Sequence, residues 1–118
     1  MVMTQRAASY DAGESPIDYK TAFVNATASG NTEVVAAVAR RKIRVVGYTL
    51  NNGGAAVAVN FQAGTTAISS TKTLAATGGG MVVRLGQGFV FETTEGEALN
   101  INLAAAGTVG VDVIYMEV

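Results

Sequence analysis

The chain of 118 residues contains no cysteine, no histidine and no tryptophan. Without cysteine it can form no disulfide and offers no thiol chemistry. Without histidine the chain lacks the commonest general base of enzymes, and without cysteine it lacks the best nucleophile. The residue types that remain indicate a protein that is not an enzyme and that holds no cofactor.

Charge is scarce as well, because only 14% of the residues are charged and the net charge is −1. Nucleic-acid-binding proteins usually carry a marked basic excess, so direct nucleic-acid binding is not expected. No apolar segment approaches the length of a membrane span, and the first residues lack the apolar core of a signal peptide. We therefore expect a soluble protein without a membrane partner.

The apolar content of 49% comes mainly from alanine and valine, since aromatic residues supply only 7% of the chain. Residues 50–66, LNNGGAAVAVNFQAGTT, contain a single aromatic side chain, that of Phe61. A surface that is polar through Thr, Asn, Ser and Gly is weakly hydrated, and low charge is typical of interface cores. The composition therefore predicts a building block of an assembly.

A chain of this length forms one domain, which buries roughly two-thirds of its unfolded surface. Residues 1–19 differ from the rest, because they contain the only proline, Pro16, and no sustained period of 2 or 3.6. We interpret them as an extended arm of up to about 60 Å in front of a domain over residues 20–118. A frayed terminus is the open alternative. The side chains that favour a docked arm, because of their size, are Tyr10, Ile17 and Tyr19.

From Lys20 onward, apolar and polar residues alternate with the period of 2 that marks half-buried antiparallel strands. In the segment 42–50, this alternation places Ile43 and Val45 on one face and Val46 and Tyr48 on the other. The clearest strands are predicted at 42–50, 56–62, 98–103 and 109–118, and weaker ones at 21–27, 32–38, 66–74, 81–85 and 87–93.

Clusters of Gly, Asn, Ala and Thr separate these strands at short intervals, and such residues supply the backbone angles of tight turns. The pattern predicts an all-β fold, an antiparallel β-sandwich or jelly roll of about eight strands. Residues 32–46 could also form a helix. We prefer two strands that pair through a turn at 39–42, because β-branched residues flank that turn on both sides.

Two segments invite a chemical interpretation. Glu92, Glu95 and Glu97 could serve glycoside hydrolysis or hold a calcium ion, but their spacing matches no calcium loop and a solvated hairpin explains them. Residues 77–88, TGGGMVVRLGQG, contain glycines between two predicted strands, whereas a phosphate-binding loop lies between a strand and a helix. No metal site is predicted.

Four of the eight basic residues lie in the segment 39–44, ARRKIR, which we call the basic turn. One interpretation is a patch that contacts an acidic partner, and the other is an ordinary exposed turn. The candidate interface residues of this turn are Arg40, Arg41, Lys42 and Arg44. Phe89 and Phe91 alternate on one face and are expected in the core, so no aromatic platform for a sugar is predicted.

The segments KIRVVGYTL, AVNFQAGTT, GEALNINL and VDVIYMEV, with the polar arm in front of them, resemble the small β-rich decoration (cement) proteins of tailed-bacteriophage capsids. The resemblance implies a structural virion protein on the capsid exterior, made in the host cytoplasm. It implies a homotrimer that bridges major capsid proteins and thereby stabilises the shell. The alternative is a tail- or fibre-associated β-sandwich module that binds a host-surface glycan.

Overall fold

Two antiparallel sheets pack against each other in the computed structural model, which describes residues 18–85 and 87–118. Every regular element in these residues is a β-strand. The strands are β1 (Lys20–Ala26), β2 (Gly30–Val35), β3 (Ile43–Asn52), β4 (Val57–Ala63), β5 (Thr66–Ala67), β6 (Lys72–Leu74), β7 (Gly79–Arg84), β8 (Phe91–Glu92), β9 (Leu99–Leu103) and β10 (Val109–Glu117). The predicted antiparallel β-sandwich is confirmed.

Sheet A has the strand order β1-β10-β3-β7, and β8 pairs with the same edge of β3 as β7 does. Sheet B has the order β2-β9-β4-β5, with β6 also paired to β4. The first and last strands of the domain are therefore direct neighbours in sheet A. Sheet A ends at β1 on one side and at β7 and β8 on the other.

The core lies between the sheets and is formed by every second residue of the long strands. This alternation confirms the period of 2 that was predicted for the segments of β4, β9 and β10. At the centre, the Phe61 ring lies 5.0 Å from the ring of Tyr48 and 5.0 Å from that of Phe91, measured between centroids. The buried residues of these three strands are Val57, Val59, Phe61, Ala63, Leu99, Ile101, Leu103, Val109, Val111, Val113 and Tyr115.

The prediction for β3 is wrong in one respect, because Tyr48 lies in the core together with Val45. A β-bulge causes this change of face: Val45 pairs with Tyr115 and Gly47 with Ile114, so Val46 has no partner on β10. One extra residue reverses the alternation beyond it. The core therefore contains the side chains of Ile43 and Val45 before the bulge and those of Tyr48 and Leu50 after it.

The predicted hairpin at residues 39–42 is also wrong. β2 belongs to sheet B and β3 to sheet A, so the basic turn connects the two sheets instead of joining paired neighbours. The weaker strands at 66–74 and 87–93 are shorter than predicted. In the second of these, only Phe91–Glu92 pairs with β3, because β7 already occupies the same edge of β3 from Gly47 onward.

Candidate functional site

The outer face of sheet A presents large apolar side chains to solvent. Phe23 on β1 is 74% exposed and Val82 on β7 is 67% exposed, although both lie in the middle of strands. Single apolar residues on a surface are ordinary, but a cluster on one face marks an interaction site. This face is therefore the candidate functional site.

The register of the strands aligns the exposed residues in two rows across the sheet. Phe23 lies opposite Asp112, Asp112 opposite Thr49, and Thr49 opposite Val82. Residues directly opposite each other share a face of the sheet. The second row runs from Thr21 through Ile114 and Gly47 to Arg84.

Between these rows lies a depression of about 220 Å³, which we call the sheet A groove. Gly47 contributes no side chain to its row, so the face is lower at this point of β3 than at Ile114 on β10 and Arg84 on β7, the two neighbours of Gly47. The side chains that define the groove are Thr21, Phe23, Thr49, Arg84, Asp112 and Ile114. Apolar walls with a few polar groups are typical of binding sites.

The groove contains one acidic and one basic residue that have no ion pair with the described residues of their own chain. Salt bridges in the described part of the chain join Lys20 to Glu117, and Lys42 and Arg44 to Glu92. Neither Asp112 nor Arg84 takes part in one. Both are exposed, and their charges are therefore accessible to a partner molecule.

The outer face of sheet B has a different character, because amide side chains cover its central strands. The amide of Asn102 donates to the side-chain oxygen of Asn31 at 2.8 Å, and that of Gln62 donates to the oxygen of Asn60 at 3.3 Å. Asn100 donates to the backbone carbonyl of Gly64 at 2.8 Å. This polar face suits contact with water, in contrast to that of sheet A.

Two of the three predicted arm anchors, Tyr10 and Ile17, lie outside the described residues. The third, Tyr19, directly precedes β1 and is about half exposed. Its ring therefore lies beside the edge of sheet A that carries Phe23. The prediction that these three residues contact a partner remains a prediction.

The basic turn is well defined by backbone hydrogen bonds. The Arg41 carbonyl accepts a hydrogen bond from the Gly96 N–H at 2.8 Å, and Lys42 exchanges two backbone hydrogen bonds with Val118. Arg40 adopts the left-handed conformation with a φ of 65°. The basic turn therefore lies beside the turn at 94–97, and the side chains of Arg40 and Arg41 are exposed without an ion pair in the described chain.

The other two cations of the turn are engaged within the chain. Arg44 Nε donates to Glu92 at 2.9 Å, Lys42 lies 3.5 Å from the same carboxylate, and the Arg44 guanidinium stacks 4.5 Å above the Phe89 ring. The hydrogen bond from Arg44, followed by the charges of Arg44 and Lys42, lowers the pKa of the Glu92 carboxyl. Phe89 is thus partly exposed under a cation instead of buried, so its predicted core position is wrong, whereas that of Phe91 is confirmed.

The acidic cluster does not come together as a site. Glu92 is bound by Arg44, while Glu95 and Glu97 are exposed in their turn. Among residues 18–85 and 87–118, no group of three or more acidic side chains is placed to hold a metal ion. The glycines of 77–88 lead into β7, where a Cβ on Gly80 would collide with the Leu50 carbonyl oxygen. Close strand pairing therefore explains this glycine.

Sequence reasoning missed the exposed ring of Phe23. A signal was present, because Ala22, Val24 and Ala26 form the apolar set of β1, and Phe23 alternates with them on the side of Thr21. The size of phenylalanine obscured this pattern. Asp112 was expected on the outer side of β10, but its position beside Phe23 depends on the pairing of β1 with β10.

No protein-family model and no curated protein sequence matches this chain. Among solved structures, it is similar to a chain of the "Cyanophage Pam1 capsid asymmetric unit", with 18% sequence identity and a TM-score of 0.49 over 98% of this chain and 99% of that chain. A similarity this distant carries no argument about function. In the part of the chain that the structure describes, no helix has the length and hydrophobicity to cross a membrane.

Proposed function

We propose that this chain is a non-catalytic structural protein of a tailed-phage virion. It binds the outside of the capsid as a homotrimer and stabilises the shell by bridging major capsid proteins. The observation that supports this proposal is the contrast between the two outer faces of the sandwich. Sheet A exposes Phe23 and Val82 beside the charges of Asp112 and Arg84, whereas sheet B is covered by hydrogen-bonded amides.

In this proposal, residues 1–19 form an extended arm that increases the contact with the capsid, and residues 20–118 form the body. Tyr10, Ile17 and Tyr19 anchor the arm. In the basic turn, Arg40 and Arg41 are the cations that remain accessible to an acidic partner, because Glu92 binds Lys42 and Arg44. The protein is made in the host cytoplasm and functions on the virion exterior.

Cosedimentation tests this proposal. Capsids of the phage that encodes the chain, assembled without it, are mixed with the purified protein and pelleted. The expected result is saturable binding together with a higher temperature of DNA release, since a ligand that binds only the intact shell stabilises it by mass action. A protein that stays in the supernatant at tens of micromolar, or that is missing from purified virions, contradicts the proposal.

One observation favours a second candidate function, a tail- or fibre-associated module that binds a host-surface glycan. The exposed ring of Phe23 lies in a groove with the hydroxyls of Thr21 and Thr49 and the charges of Asp112 and Arg84. A sugar ring packs its apolar face on an aromatic ring and bonds its hydroxyls to such groups. A glycan array separates the candidates: a hit that is lost in Phe23→Ser supports this second function.

A further inference from the structure

The exposed large apolar side chains of the described chain all belong to sheet A or to the segments at its two edges. β1 forms one edge, and β7 with the connection to β8 forms the other. The exposed large side chains therefore lie at both edges of the sheet. The residues are Tyr19 and Phe23 at the β1 edge and Val82, Leu85 and Phe89 at the β7 edge.

The two sides of this face carry opposite charges. On the β1 side, Phe23 lies beside Asp112; on the β7 side, Val82 lies on the same strand as Arg84. Four neighbouring strands place Phe23 about 14 Å from Val82, so they cannot contact each other within one chain. We call these the acidic side and the basic side of the face.

We propose that copies of this chain bind each other through the outer face of sheet A. The acidic side of one copy packs against the basic side of the next, with Phe23 against Val82 and Asp112 opposite Arg84. This arrangement gives each of these two charges an ion pair, which neither has among residues 18–85 and 87–118 of its own chain. It deepens the proposed function and rests on the oligomer assumed there.

In the proposed contact, the acidic side and the basic side of one copy bind two different neighbouring copies. Such a contact is heterologous, and heterologous contacts close into rings when the rotation between copies allows it. A ring of three copies turns the sheet A grooves toward the symmetry axis and leaves the amide face of sheet B outside. Each copy then uses both edges of sheet A, which agrees with the presence of apolar residues at both.

A second copy accounts for this face better than a small ligand does. A groove of about 220 Å³ has room for roughly one sugar unit, which would leave the exposed side chains of Leu85 and Phe89 uncovered. A neighbouring sandwich covers them as well. Protein interfaces are also enriched in aromatic residues and Arg at their centres, and Phe23 and Arg84 are of these types.

The first test is the native mass of Phe23→Ser by light scattering over a range of concentrations. Because Phe23 is largely exposed, the variant is expected to fold with an unchanged melting curve. Its oligomer is expected to dissociate with a constant about thirtyfold higher, as for the loss of a central aromatic contact. Thr73→Ser, an exposed position on sheet B, is the matched control and keeps the wild-type mass.

The second test exchanges the two charges. Asp112→Arg and Arg84→Asp are each expected to weaken the oligomer, because each places like charges opposite one another. The double variant is expected to regain the wild-type mass. An equal loss in the double variant would contradict the pairing of Asp112 with Arg84 across copies.

The third test uses the absence of cysteine, which makes introduced thiols unique. Phe23→Cys/Val82→Cys also lacks the Phe23 ring, so it is treated with a short bismaleimide crosslinker at a protein concentration high enough to offset the weaker contact. The expected covalent products stop at three chains. Products that stop at two support the same surface but contradict the proposed trimer. Thr73→Cys is the control and is expected to give no crosslinked product.

Two results would overturn the inference: a wild-type protein that stays monomeric at all concentrations, or an oligomer that survives Phe23→Ser and gives no crosslinks. Capsid cosedimentation by the same samples keeps this outcome separate from the proposed function. A variant that binds capsids normally while its oligomer is unchanged refutes only the sheet A contact. A wild-type oligomer that fails to bind capsids refutes only the proposed function.

Discussion

Asn52 joins three segments of the chain although its side chain is fully buried. Its amide nitrogen donates to the carbonyls of Ala55 at 2.8 Å and Ala75 at 3.0 Å, and its oxygen accepts the N–H of Gly54 at 3.0 Å. These hydrogen bonds tie the end of β3 to the loop before β4 and to the loop after β6. A buried polar group is tolerated because all of its hydrogen bonds are made.

The first prediction is that Asn52→Ala lowers the free energy of unfolding by about 2 to 4 kcal/mol, because it leaves several buried backbone groups without partners. Urea denaturation measures this loss. Asn51→Ala is the matched control, since Asn51 is the exposed neighbour on the same strand and its replacement is expected to change stability by less than about 0.5 kcal/mol. Equal effects of the two substitutions would contradict the role of the Asn52 network.

The second prediction concerns Gly80, where β7 approaches β3 closely. A Cβ at this position meets the carbonyl oxygen of Leu50, which belongs to the backbone of the paired strand and cannot move away alone. Gly80→Ala is expected to destabilise the protein by about 1 to 3 kcal/mol. Gly110→Ala serves as control, because its nearest neighbour is an Asn25 side-chain oxygen at 3.6 Å, an ordinary contact.

The third prediction is a dependence of stability on pH that is due to Glu92. Its pKa lies below the ordinary value of 4.5 in the folded protein, chiefly because Arg44 donates a hydrogen bond to it. The stabilisation is therefore complete above the unfolded pKa and is lost as the pH falls through the folded one.

Glu92→Gln is accordingly expected to lower the free energy of unfolding by up to about 1 kcal/mol at neutral pH. In acid, the free energies of unfolding of the variant and of the wild type are expected to become equal. Urea titrations at several pH values measure both effects. Glu95→Gln, at an exposed carboxylate without an ion pair in the described chain, is the control. The role of the ion pair would be contradicted if the free energy of unfolding differed between the wild type and Glu92→Gln by the same amount at every pH.

At the scale of the strands, the sequence predicted those elements whose faces follow from local alternation. β4, β9 and β10 bury every second residue, and each has an unbroken period of 2. The face of β3 changes at Val46, and this change depends on β10, whose residues paired there lie about seventy positions away in the sequence. A bulge is a property of a strand pair, so no local pattern reveals it.

The candidate site was beyond local reasoning for the same reason. Phe23 and Asp112 become neighbours only through the pairing of β1 with β10, and Val82 and Arg84 join them only through β3. The basic turn, in contrast, is contiguous in sequence and was found. The pairing of Lys42 and Arg44 with Glu92 then reduced its accessible cations to Arg40 and Arg41.

The fourth prediction concerns the arm as an element. Deletion of residues 1–19 is expected to leave a folded sandwich, because β1 begins at Lys20 and pairs with β10 along its whole length. Attachment to the capsid is expected to weaken strongly as the anchor side chains are lost. A melting curve and cosedimentation of the truncated protein measure the two effects, and unchanged attachment would contradict the arm.

At the scale of the whole molecule, stability and assembly use different surfaces. The core lies between the sheets, and the long-range pairing of β1 with β10 makes folding one cooperative event. The exposed charges and the exposed apolar residues on the outer face of sheet A contribute little to that event. Substitutions on these surfaces are therefore expected to change assembly without changing the fold.

The fifth prediction follows for the basic turn. Arg40→Glu/Arg41→Glu is expected to leave the melting curve nearly unchanged, since both side chains are exposed without an ion pair in the described chain. Capsid attachment is expected to fall sharply at low salt, because like charges then face an acidic partner, and to recover in part with added salt, which screens this repulsion. Arg40→Gln/Arg41→Gln provides the graded control, with an intermediate loss. Normal attachment of the reversed variant would make the basic turn an ordinary solvated loop, and a lowered melting temperature would assign Arg40 and Arg41 to folding instead.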